Sequence, residues 1–277
     1  MKAGIPSDTR QLMTAQDPSR NEWQIRTDIP HPARVYDYWL GGKDNFEVDR
    51  RGAEQALREM PEFRDYAIGN RQFLVRATRM LAQAGIRQYI DVGSGFLTSP
   101  NVHEIATAAV PGACVAYVDN DPVVFVHLEA DLANTPGTAV IRADYRDPET
   151  VLREADKTLD FSEPVALMFV ACLHHITDDD DPAGVVASYL GALAPGSYLV
   201  ISHFASDFDP EKARITSAGA QAQGLTFVPR SRADILRMFN GLPLVEPGLT
   251  LVTRWRPDED PGANADRAWA YGGIASV

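Results

Sequence analysis

The sequence predicts an α/β fold, with a doubly wound, mostly parallel sheet, helices on both of its faces and an antiparallel strand at the C-terminus. Beyond residue 86, short apolar runs alternate with stretches of helical periodicity. This alternation is typical of βαβ units, whose parallel strands are buried on both faces. The predicted strands cover residues 88–92, 113–118, 138–142, 165–170 and 197–203, and the helices between them cover 100–109, 121–133, 147–155 and 182–193.

A glycine turn follows the first predicted strand. Asp91 lies near the end of this strand, and Gly93 and Gly95 allow the backbone to turn tightly beside a ligand. Ser99 followed by Pro100 then indicates a helix cap and a first helical position. Together these features are typical of a site for a nucleotide-like cofactor, although two glycines alone are a weak signal.

The last third of the chain has a different pattern from the alternating core. Residues 209–223 and 231–240 are predicted to be helical, and Gly241 stops the second helix. Two strand-like runs, 249–255 and 268–275, then flank a polar loop that contains Pro and Gly. This pattern favours an antiparallel pair at one edge of the sheet.

The chain divides into three predicted regions. Residues 1–28 are polar without apolar periodicity, which predicts a flexible N-terminal arm. Residues 29–85 contain helical patterns at 49–60 and 73–84, so we expect an N-terminal helical lid or cap. The remainder, 86–277, is predicted to be the cofactor-binding core.

Composition excludes several classes of function. The chain has 277 residues and a formal net charge of -12, with a pI near 4.9, and no long basic run offsets the acidic excess. Binding to nucleic acid is therefore not expected. Cys114 and Cys172 are the only cysteines, which supports neither a disulfide framework nor a zinc cluster. No apolar run approaches the length of a membrane span, so we expect a cytoplasmic location and a small-molecule or protein substrate.

Acidic residues follow the second predicted strand. Asp119 can accept both ribose hydroxyl hydrogens in a charge-assisted pair. Asp121 precedes Pro122 and is better explained as a helix cap.

The third strand ends in a similar way. Asp144 is placed where it can accept from an adenine amine, while Tyr145 packs near the ring. The alternative is a simple loop carboxylate, and Asp147 before Pro148 reads as a helix cap.

At these residues the chain resembles the class I S-adenosylmethionine-dependent methyltransferases, over roughly residues 86–275. Within that class it is most similar to a bacterial S-adenosyl methyltransferase family formerly of unknown function. The resemblance implies a Rossmann-like sheet with a final antiparallel strand, and S-adenosyl-L-methionine as cofactor. The segments that carry it are Asp91-Val92-Gly93-Ser94-Gly95, Asp119-Asn120-Asp121, Ala143-Asp144-Tyr145-Arg146-Asp147, Cys172-Leu173-His174-His175-Ile176 and the stretch 34–45.

The resemblance also implies where the cofactor binds. Leu97 stands where the turn of the broader class often has a third glycine, so side chains are expected to hold more of the ligand. The anionic Asp91 suits a cofactor with an ammonium and a sulfonium, whereas a pyrophosphate would be repelled. The expected contacts are Gly93 and Gly95 at the methionine part, Asp119 at the ribose, and Asp144 with Tyr145 at the adenine. Asn120 is also an expected cofactor-binding residue.

An aromatic and polar cluster lies ahead of the core at 36–45. Its aromatic residues are either core anchors of an added helix that Gly41 and Gly42 end, or part of a lid over the cofactor. As a lid, Tyr36 and its neighbours would surround the sulfonium through cation–π attraction, and Gly42 would permit closure. Arg71 either pairs with the cofactor carboxylate or is a surface arginine.

Two adjacent histidines follow the fourth predicted strand. His174 and His175 are expected near the transferred methyl, one as a general base and the other as a packed, hydrogen-bonded residue. We expect no metal, because neighbouring side chains point in different directions and no third ligand lies at a useful spacing. His203 ends the fifth strand and either faces an acceptor pocket or has no chemical role. The acidic run 178–181 is predicted to be a solvated loop and helix cap.

The functional hypothesis is S-adenosylmethionine-dependent methyl transfer, by in-line displacement, to an unidentified small-molecule or protein acceptor. Two alternatives stay open from the sequence. One is a dinucleotide-dependent oxidoreductase, and the other is a non-catalytic S-adenosylmethionine-binding protein on the same fold.

Overall fold

The computed structural model describes residues 25–262 and 265–277. Most of the predicted arm, residues 1–24, therefore lies outside the described residues. The helices are α1 Pro32–Trp39, α2 Glu47–Glu59, α3 Glu62–Gln83, α4 Val102–Ala109, α5 Pro122–Leu132, α6 Pro148–Ala155, α7 Pro182–Leu190, α8 Pro210–Ala222 and α9 Arg232–Arg237. The strands are β1 Gln88–Val92, β2 Cys114–Asp119, β3 Thr138–Arg142, β4 Val165–Val170, β5 Tyr198–Phe204, β6 Thr250–Leu251 and β7 Ala270–Ser276.

The strands form one sheet in the order β3-β2-β1-β4-β5-β7-β6. Strands β1 to β5 pair in parallel, and β7 pairs antiparallel with both β5 and β6. This confirms the predicted doubly wound, mostly parallel sheet with an antiparallel C-terminal strand. The order of the strands reverses at β1, which lies between β2 and β4. A ligand crevice is expected at such a reversal, outside the carboxyl ends of the strands.

Side chains from alternate strand positions fill two apolar layers. Tyr89 and Tyr117 pack on the face covered by α3 and α4, whereas Ile90 and Val92 pack on the opposite face. All of β1 is buried. A strand buried on both faces is held in register from both sides, so the residues just beyond its end are placed accurately.

The N-terminal helices begin earlier than the apolar periodicity predicts. Helix α3 starts at Glu62 rather than near residue 73, because Phe63, Tyr66 and Asn70 extend its buried face toward the N-terminus. It ends as predicted before Gly85, whose φ of 91° suits glycine. The structure also forms α1 within the aromatic cluster.

The start of α4 differs from the prediction. The helix begins at Val102, and Ser99 and Pro100 belong to the preceding loop. The reason is local, because the Glu104 carboxylate accepts the backbone N–H of Asn101 at 2.6 Å and thereby closes the first turn two residues later.

The first strand of the predicted C-terminal pair is much shorter than expected, because only Thr250–Leu251 pairs with β7. The chain then turns toward α3, where Arg76 donates to the carbonyl oxygens of Val252 at 2.6 Å and Trp255 at 3.0 Å. These hydrogen bonds replace the sheet partners that a longer strand would have had.

Candidate active site

A cavity of about 350 Å³ opens at the carboxyl ends of the parallel strands. Its size falls in the usual range for small-molecule sites. Loops after β1, β2, β3 and β4 line it on one side, and α1 and α3 line it on the other. Of the predicted site residues, it is lined by Tyr36, Arg71, Gly93, Gly95, Asp119, Asn120, Asp144, Tyr145 and His175. Three others, Gly42, Asp91 and His174, do not line it.

The glycine turn forms the floor of this cavity. Gly93 has a φ of 65°, and a Cβ atom there would lie 2.6 Å from the Cβ of Cys172. Glycine is therefore required both for the backbone conformation and for the close approach of the loop after β4. The backbone N–H groups of Gly93 and Ser94 donate to the carbonyl of Val118 at 2.8 and 3.1 Å, which fixes the turn against β2.

Asp119 lies at the end of β2 and is 7% exposed. One carboxylate oxygen accepts the backbone N–H of Gly95 at 3.0 Å, and the other accepts that of Asp121 at 2.9 Å. Each oxygen keeps a second lone pair. Burial raises the pKa of Asp119, while the charge of His31 and the two N–H groups oppose that rise. The arrangement suits a ligand with paired hydroxyl groups.

Asp144 lines the cavity and is also engaged by a neighbouring arginine. Arg146 donates to both of its carboxylate oxygens, with Nη2 at 2.6 Å and Nε at 3.1 Å. Burial opposes ionisation, but the hydrogen bonds and charge of Arg146 outweigh it and lower the pKa of Asp144. The carboxylate is thus largely occupied by the protein itself. Tyr145 is fixed by its hydroxyl, which donates to the Cys172 carbonyl at 3.1 Å, and it lines the cavity.

Asp91 lies beneath the cavity and is 5% exposed. Burial raises its pKa to about 7, with Arg71 opposing and Asp119 adding to the rise. No hydrogen bond to its carboxylate comes from residues 25–262 or 265–277. A buried carboxylate of this kind favours a nearby cation.

Arg71 reaches the same region from α3. Its Nη2 donates to the carbonyls of Thr98 and Pro100, the latter at 2.6 Å, whereas Nε is buried without a hydrogen-bond partner in the described part of the chain. The hydroxyl of Ser94, in the glycine turn, is likewise unpartnered there. Burial lowers the pKa of Arg71. Two unmet polar groups beside a cavity indicate a polar ligand.

Tyr36 belongs to a hydrogen-bonded chain that crosses from α1 to the sheet. Its hydroxyl donates to the Ala67 carbonyl at 3.0 Å and accepts from Asn70 at 2.9 Å, and Asn70 accepts from the Ser202 hydroxyl at 2.5 Å. Ser202 in turn accepts the N–H of Ala171 at 3.0 Å. Ala171 has a φ of 61°, a conformation that non-glycine residues adopt only when their surroundings hold them there.

Gly42 lies outside the cavity, in a tight turn after α1. A Cβ atom on Gly42 would fall 1.9 Å from Oδ1 of Asp37. The Gly42 N–H donates to the Asp37 carbonyl at 2.9 Å, and Asn45 donates to the Asp37 carboxylate at 2.7 Å. Gly42 therefore lets the chain fold back tightly onto the end of α1.

Buried charges join α1 to the core. Arg34 donates through Nε to Asp121 at 3.0 Å and through Nη1 to Asp49 at 3.5 Å, and all three residues are at most 3% exposed. Asp121 also caps α5 through Val123, as the sequence predicts. Trp39 stacks on Phe63 with ring centroids 4.5 Å apart. The segment expected to be a lid or cap is thus packed firmly against the sheet.

The two histidines differ in their surroundings. His174 is 1% exposed, and its Nδ1 accepts the N–H of Phe204 at 3.5 Å. In the neutral ring Nε2 then carries the proton, 3.4 Å from the Tyr66 hydroxyl. Burial lowers the pKa of His174 well below its usual value. This residue is the packed histidine of the pair.

His175 reaches the cavity. Its Nδ1 lies 2.9 Å from the Thr226 carbonyl, which can only accept, so Nδ1 carries the proton and Nε2 is left as an acceptor. Burial lowers the pKa of His175 to about 4, while the hydrogen bond to Thr226 opposes that shift. His175 is therefore neutral near pH 7, with an acceptor nitrogen at the site.

Arg230 was not indicated by the sequence patterns. Its guanidinium donates to the carbonyls of Leu173 at 3.0 Å and Ile176 at 2.9 Å. These two hydrogen bonds hold the turn that contains His174 and His175. Arg230 also donates to Nε2 of His203 at 3.1 Å. His203 is fully buried in this network and does not line the cavity. In the sequence Arg230 stands between Pro229 and Ser231, with Arg232 close by, so it resembles an ordinary charged turn and gives no sign of burial.

Comparison with known proteins identifies the family. A sequence profile described as S-adenosyl methyltransferase matches residues 18–277. The chain belongs to the S-adenosyl methyltransferase family. It is similar to a DUF574 family protein from Streptomyces avermitilis, with 39% identity, a TM-score of 0.88, and 91% of this chain and 99% of that chain covered.

A second solved structure is similarly close. A candidate methyltransferase from Thermobifida fusca has 40% identity and a TM-score of 0.84, with 95% of this chain and 99% of that chain covered. No curated protein matches the chain. This protein is therefore an S-adenosylmethionine-dependent methyltransferase, and methyl transfer is favoured over the dinucleotide-dependent oxidoreductase.

The residues of the methyltransferase fit its cofactor. Arg71 Nε and the Ser94 hydroxyl are buried donors without partners in the described chain, which suits the cofactor's carboxylate. Asp119 offers two lone pairs, which suits the ribose hydroxyls. Asp91 is a buried carboxylate without a hydrogen-bond donor among the described residues, which suits an ammonium.

Two further findings concern the described ranges only. None of the helices there has the length and apolar character that a bilayer span requires. No three His, Cys, Asp or Glu side chains come together in an arrangement that could hold a metal ion.

Proposed function

We propose that this methyltransferase transfers a methyl group from S-adenosyl-L-methionine to a hydroxyl of a small-molecule acceptor, with His175 as general base. The observation that carries the proposal is the ring of His175, which lines the cavity that also contains the glycine turn and Asp119, and whose Nδ1–H bond to Thr226 leaves Nε2 as an acceptor. A protein acceptor is less favoured, because the walls of the cavity come from seven separate segments of the chain, which surround a space of small-molecule size.

The cofactor-binding residues have distinct proposed roles. Asp119 accepts the two ribose hydroxyls, Asn120 lies at the same edge, and Tyr145 packs beside the adenine. Arg71 and Ser94 donate to the carboxylate, whereas Asp91 stabilises the ammonium from beneath. Gly93 and Gly95 let the backbone approach the methionine part, and Tyr36 packs beside the sulfonium. In this proposal Asp144 acts mainly by holding Arg146 at the rim.

The chain's own contribution to the reaction is alignment, removal of a proton and exclusion of water. When bound, the cofactor supplies a sulfonium methyl, whose carbon–sulfur bond breaks as the acceptor oxygen–carbon bond forms, leaving S-adenosylhomocysteine. The hydroxyl proton passes to Nε2 of His175. The imidazolium so formed is stabilised by the Nδ1–H bond to Thr226 and returns its proton to water. Residues 29–85 act as a cap that shields the site.

A binding measurement with S-adenosylhomocysteine tests this proposal. Replacing Asp119 with Asn removes a charge-assisted acceptor, so we expect the Kd to rise about 10- to 100-fold, equivalent to about 1.5–3 kcal/mol. Isothermal titration of the wild type and of Asp119→Asn provides the comparison. The exposed Asp131 carries the same chemical change as a control, and Asp131→Asn is expected to bind like the wild type.

Two outcomes would count against the proposal. The first is that the wild type does not bind S-adenosylhomocysteine at high micromolar concentration. The second is that Asp119→Asn, shown by circular dichroism to be folded, binds it as tightly as Asp131→Asn does.

A further inference from the structure

We infer that a second cavity beside the cofactor site holds the apolar part of the methyl acceptor, and that this acceptor is an uncharged hydroxylated aromatic molecule. This inference rests on the proposed function. The second cavity, here called the side pocket, has a volume of about 60 Å³ and lies between α1, α2, α3 and α8. Residues shared by the walls of both cavities are Pro32, Tyr36, His175, Leu225 and Thr226.

Shared walls place the side pocket on the acceptor side. His175, whose unprotonated Nε2 is the proposed base, lines both cavities. The cofactor-binding groups, by contrast, lie at the strand ends, and Asp119, Gly93 and Arg71 line only the main cavity. A molecule that enters the side pocket therefore extends past His175 and away from the nucleotide-binding strand ends.

Aromatic side chains form much of the wall. Trp39, Phe63 and Phe227 line the side pocket, and Phe63 and Phe227 pack edge to face with centroids 5.6 Å apart. Phe227 also lies 5.9 Å from the ring of His175, measured between centroids. Such walls favour the edge of an aromatic ring, because aromatic pairs gain energy beyond the area that they bury.

The volume limits what enters. An engineered cavity of about 150 Å³ holds a whole benzene molecule, so the side pocket takes only a ring edge or a small apolar substituent. The wall of the side pocket is tightly packed at two glycines, because a Cβ atom on Gly52 would lie 2.6 Å from Gln223 Oε1 and one on Gly219 would lie 3.0 Å from Glu59 Oε2. The rest of the acceptor then lies in the main cavity beside His175.

Charge excludes anionic acceptors. Of the described residues that line the side pocket, none is Lys or Arg, and the one carboxylate, Glu59, is exposed at the edge. His174 and His175 are neutral because burial lowers their pKa values. An anion placed there would lose its hydration without gaining a cationic partner. A hydroxyl, in contrast, can donate to His175 Nε2.

A pair of probes tests the charge preference. 4-Methylphenol and 4-hydroxybenzoate share the phenol and differ in an apolar methyl against a carboxylate. Saturation-transfer NMR on the full chain, with and without S-adenosylhomocysteine, measures the binding of each. We expect 4-methylphenol to bind and 4-hydroxybenzoate to bind at least about tenfold more weakly, since an unpaired buried anion is costly.

A pair of variants tests the place of binding. Ala220 lines the side pocket from α8, whereas Ala218 on the same helix is exposed. Ala220→Phe fills the pocket and is expected to abolish the 4-methylphenol signal, while Ala218→Phe leaves it unchanged. Ala56→Phe, from the opposite wall on α2, serves as a second filling variant if Ala220→Phe does not fold.

The outcomes separate the two proposals. The inference is overturned if 4-methylphenol does not bind, if it binds no better than 4-hydroxybenzoate, or if the filled pocket still binds it. S-adenosylhomocysteine binding is measured in the same proteins and is expected to be unchanged. Its failure in the wild type would contradict the proposed function, whereas the difference in 4-methylphenol binding between the wild type and Ala220→Phe reports on the side pocket.

Discussion

Single residues at the site are held in states that their neighbours impose. His175 presents an unprotonated Nε2 because the Thr226 carbonyl accepts from Nδ1. Ala171 keeps a φ of 61° because Ser202 accepts its N–H. Gly93 is needed where the turn meets Cys172. In each case a residue distant in the sequence determines the protonation, the backbone conformation or the residue type at that position.

The protonation of His175 can be measured without an acceptor. Burial lowers its pKa to about 4, so the folded ring is expected to stay neutral as the pH falls from about 8 to 5. Long-range ¹H–¹⁵N correlation spectra are expected to show the proton on Nδ1 throughout this range. A charged His175 ring near pH 6, or a proton on Nε2, would contradict the assigned role.

At the scale of elements, α1 is fixed to the core by charge as well as by packing. Arg34 on α1 contacts Asp49 on α2 and Asp121 at the start of α5, and these three residues are buried. Asp121 follows β2 two residues after Asp119, so the same network that holds α1 also supports the proposed ribose-binding end of β2. The N-terminal helices and the proposed cofactor site are thus joined by one buried network.

Removing the arginine tests this connection. Arg34→Met removes the guanidinium that two buried carboxylates share, so we expect the free energy of unfolding to fall by about 3–5 kcal/mol. Arg51→Met is the matched control, because Arg51 pairs with Glu47 on the exposed face of α2 and its loss is expected to cost less than about 0.5 kcal/mol. Urea unfolding monitored by fluorescence provides both values. Equal effects of the two substitutions would show that the buried cluster does not anchor α1.

At the scale of the whole molecule, buried ionisable groups set the dependence of stability on pH. Burial lowers the pKa of His175 to about 4 and that of His203 to about 3, and the pKa of His174 is also lowered. The unfolded chain therefore binds more protons at these sites below about pH 6.5, and their stabilising contribution is lost as the pH falls from there toward 4. Asp91, with its pKa raised to about 7, has the opposite sign and favours the folded state as the pH falls.

These histidines act against Asp91 and against Asp119, whose pKa is also raised by burial. Because three histidines take up protons on unfolding, we expect the free energy of unfolding of the ligand-free protein to fall as the pH decreases from about 6.5 to 5. Asp91→Asn removes one opposing group, so it is expected to steepen this loss and to raise stability above about pH 7. Urea unfolding across this range checks both effects, with Asp131→Asn as control. A flat profile for the wild type, or parallel profiles for wild type and Asp91→Asn, would contradict this assignment.

Much of the fold follows from local pattern. The five parallel strands begin and end within about two residues of their predicted bounds, because buried strands need continuous apolar runs that are visible in the sequence. Asp121 and Asp147 cap helices as expected, since a cap depends only on the next few residues. Element ends were less predictable where distant residues intervene, as Arg76 does after Thr250–Leu251.

The chain order and residue types were enough to bring the glycine turn, Asp119, Tyr145 and His175 to one edge, because parallel strands present their carboxyl ends together. Long-range packing was needed for everything that depends on contacts across the sheet. Packing places Gly42 and His174 outside the lining of the main cavity, pairs Asp144 with Arg146, and forms the side pocket from α1, α2, α3 and α8. Periodicity specifies which side of an element is buried, but only the folded chain specifies which buried groups meet.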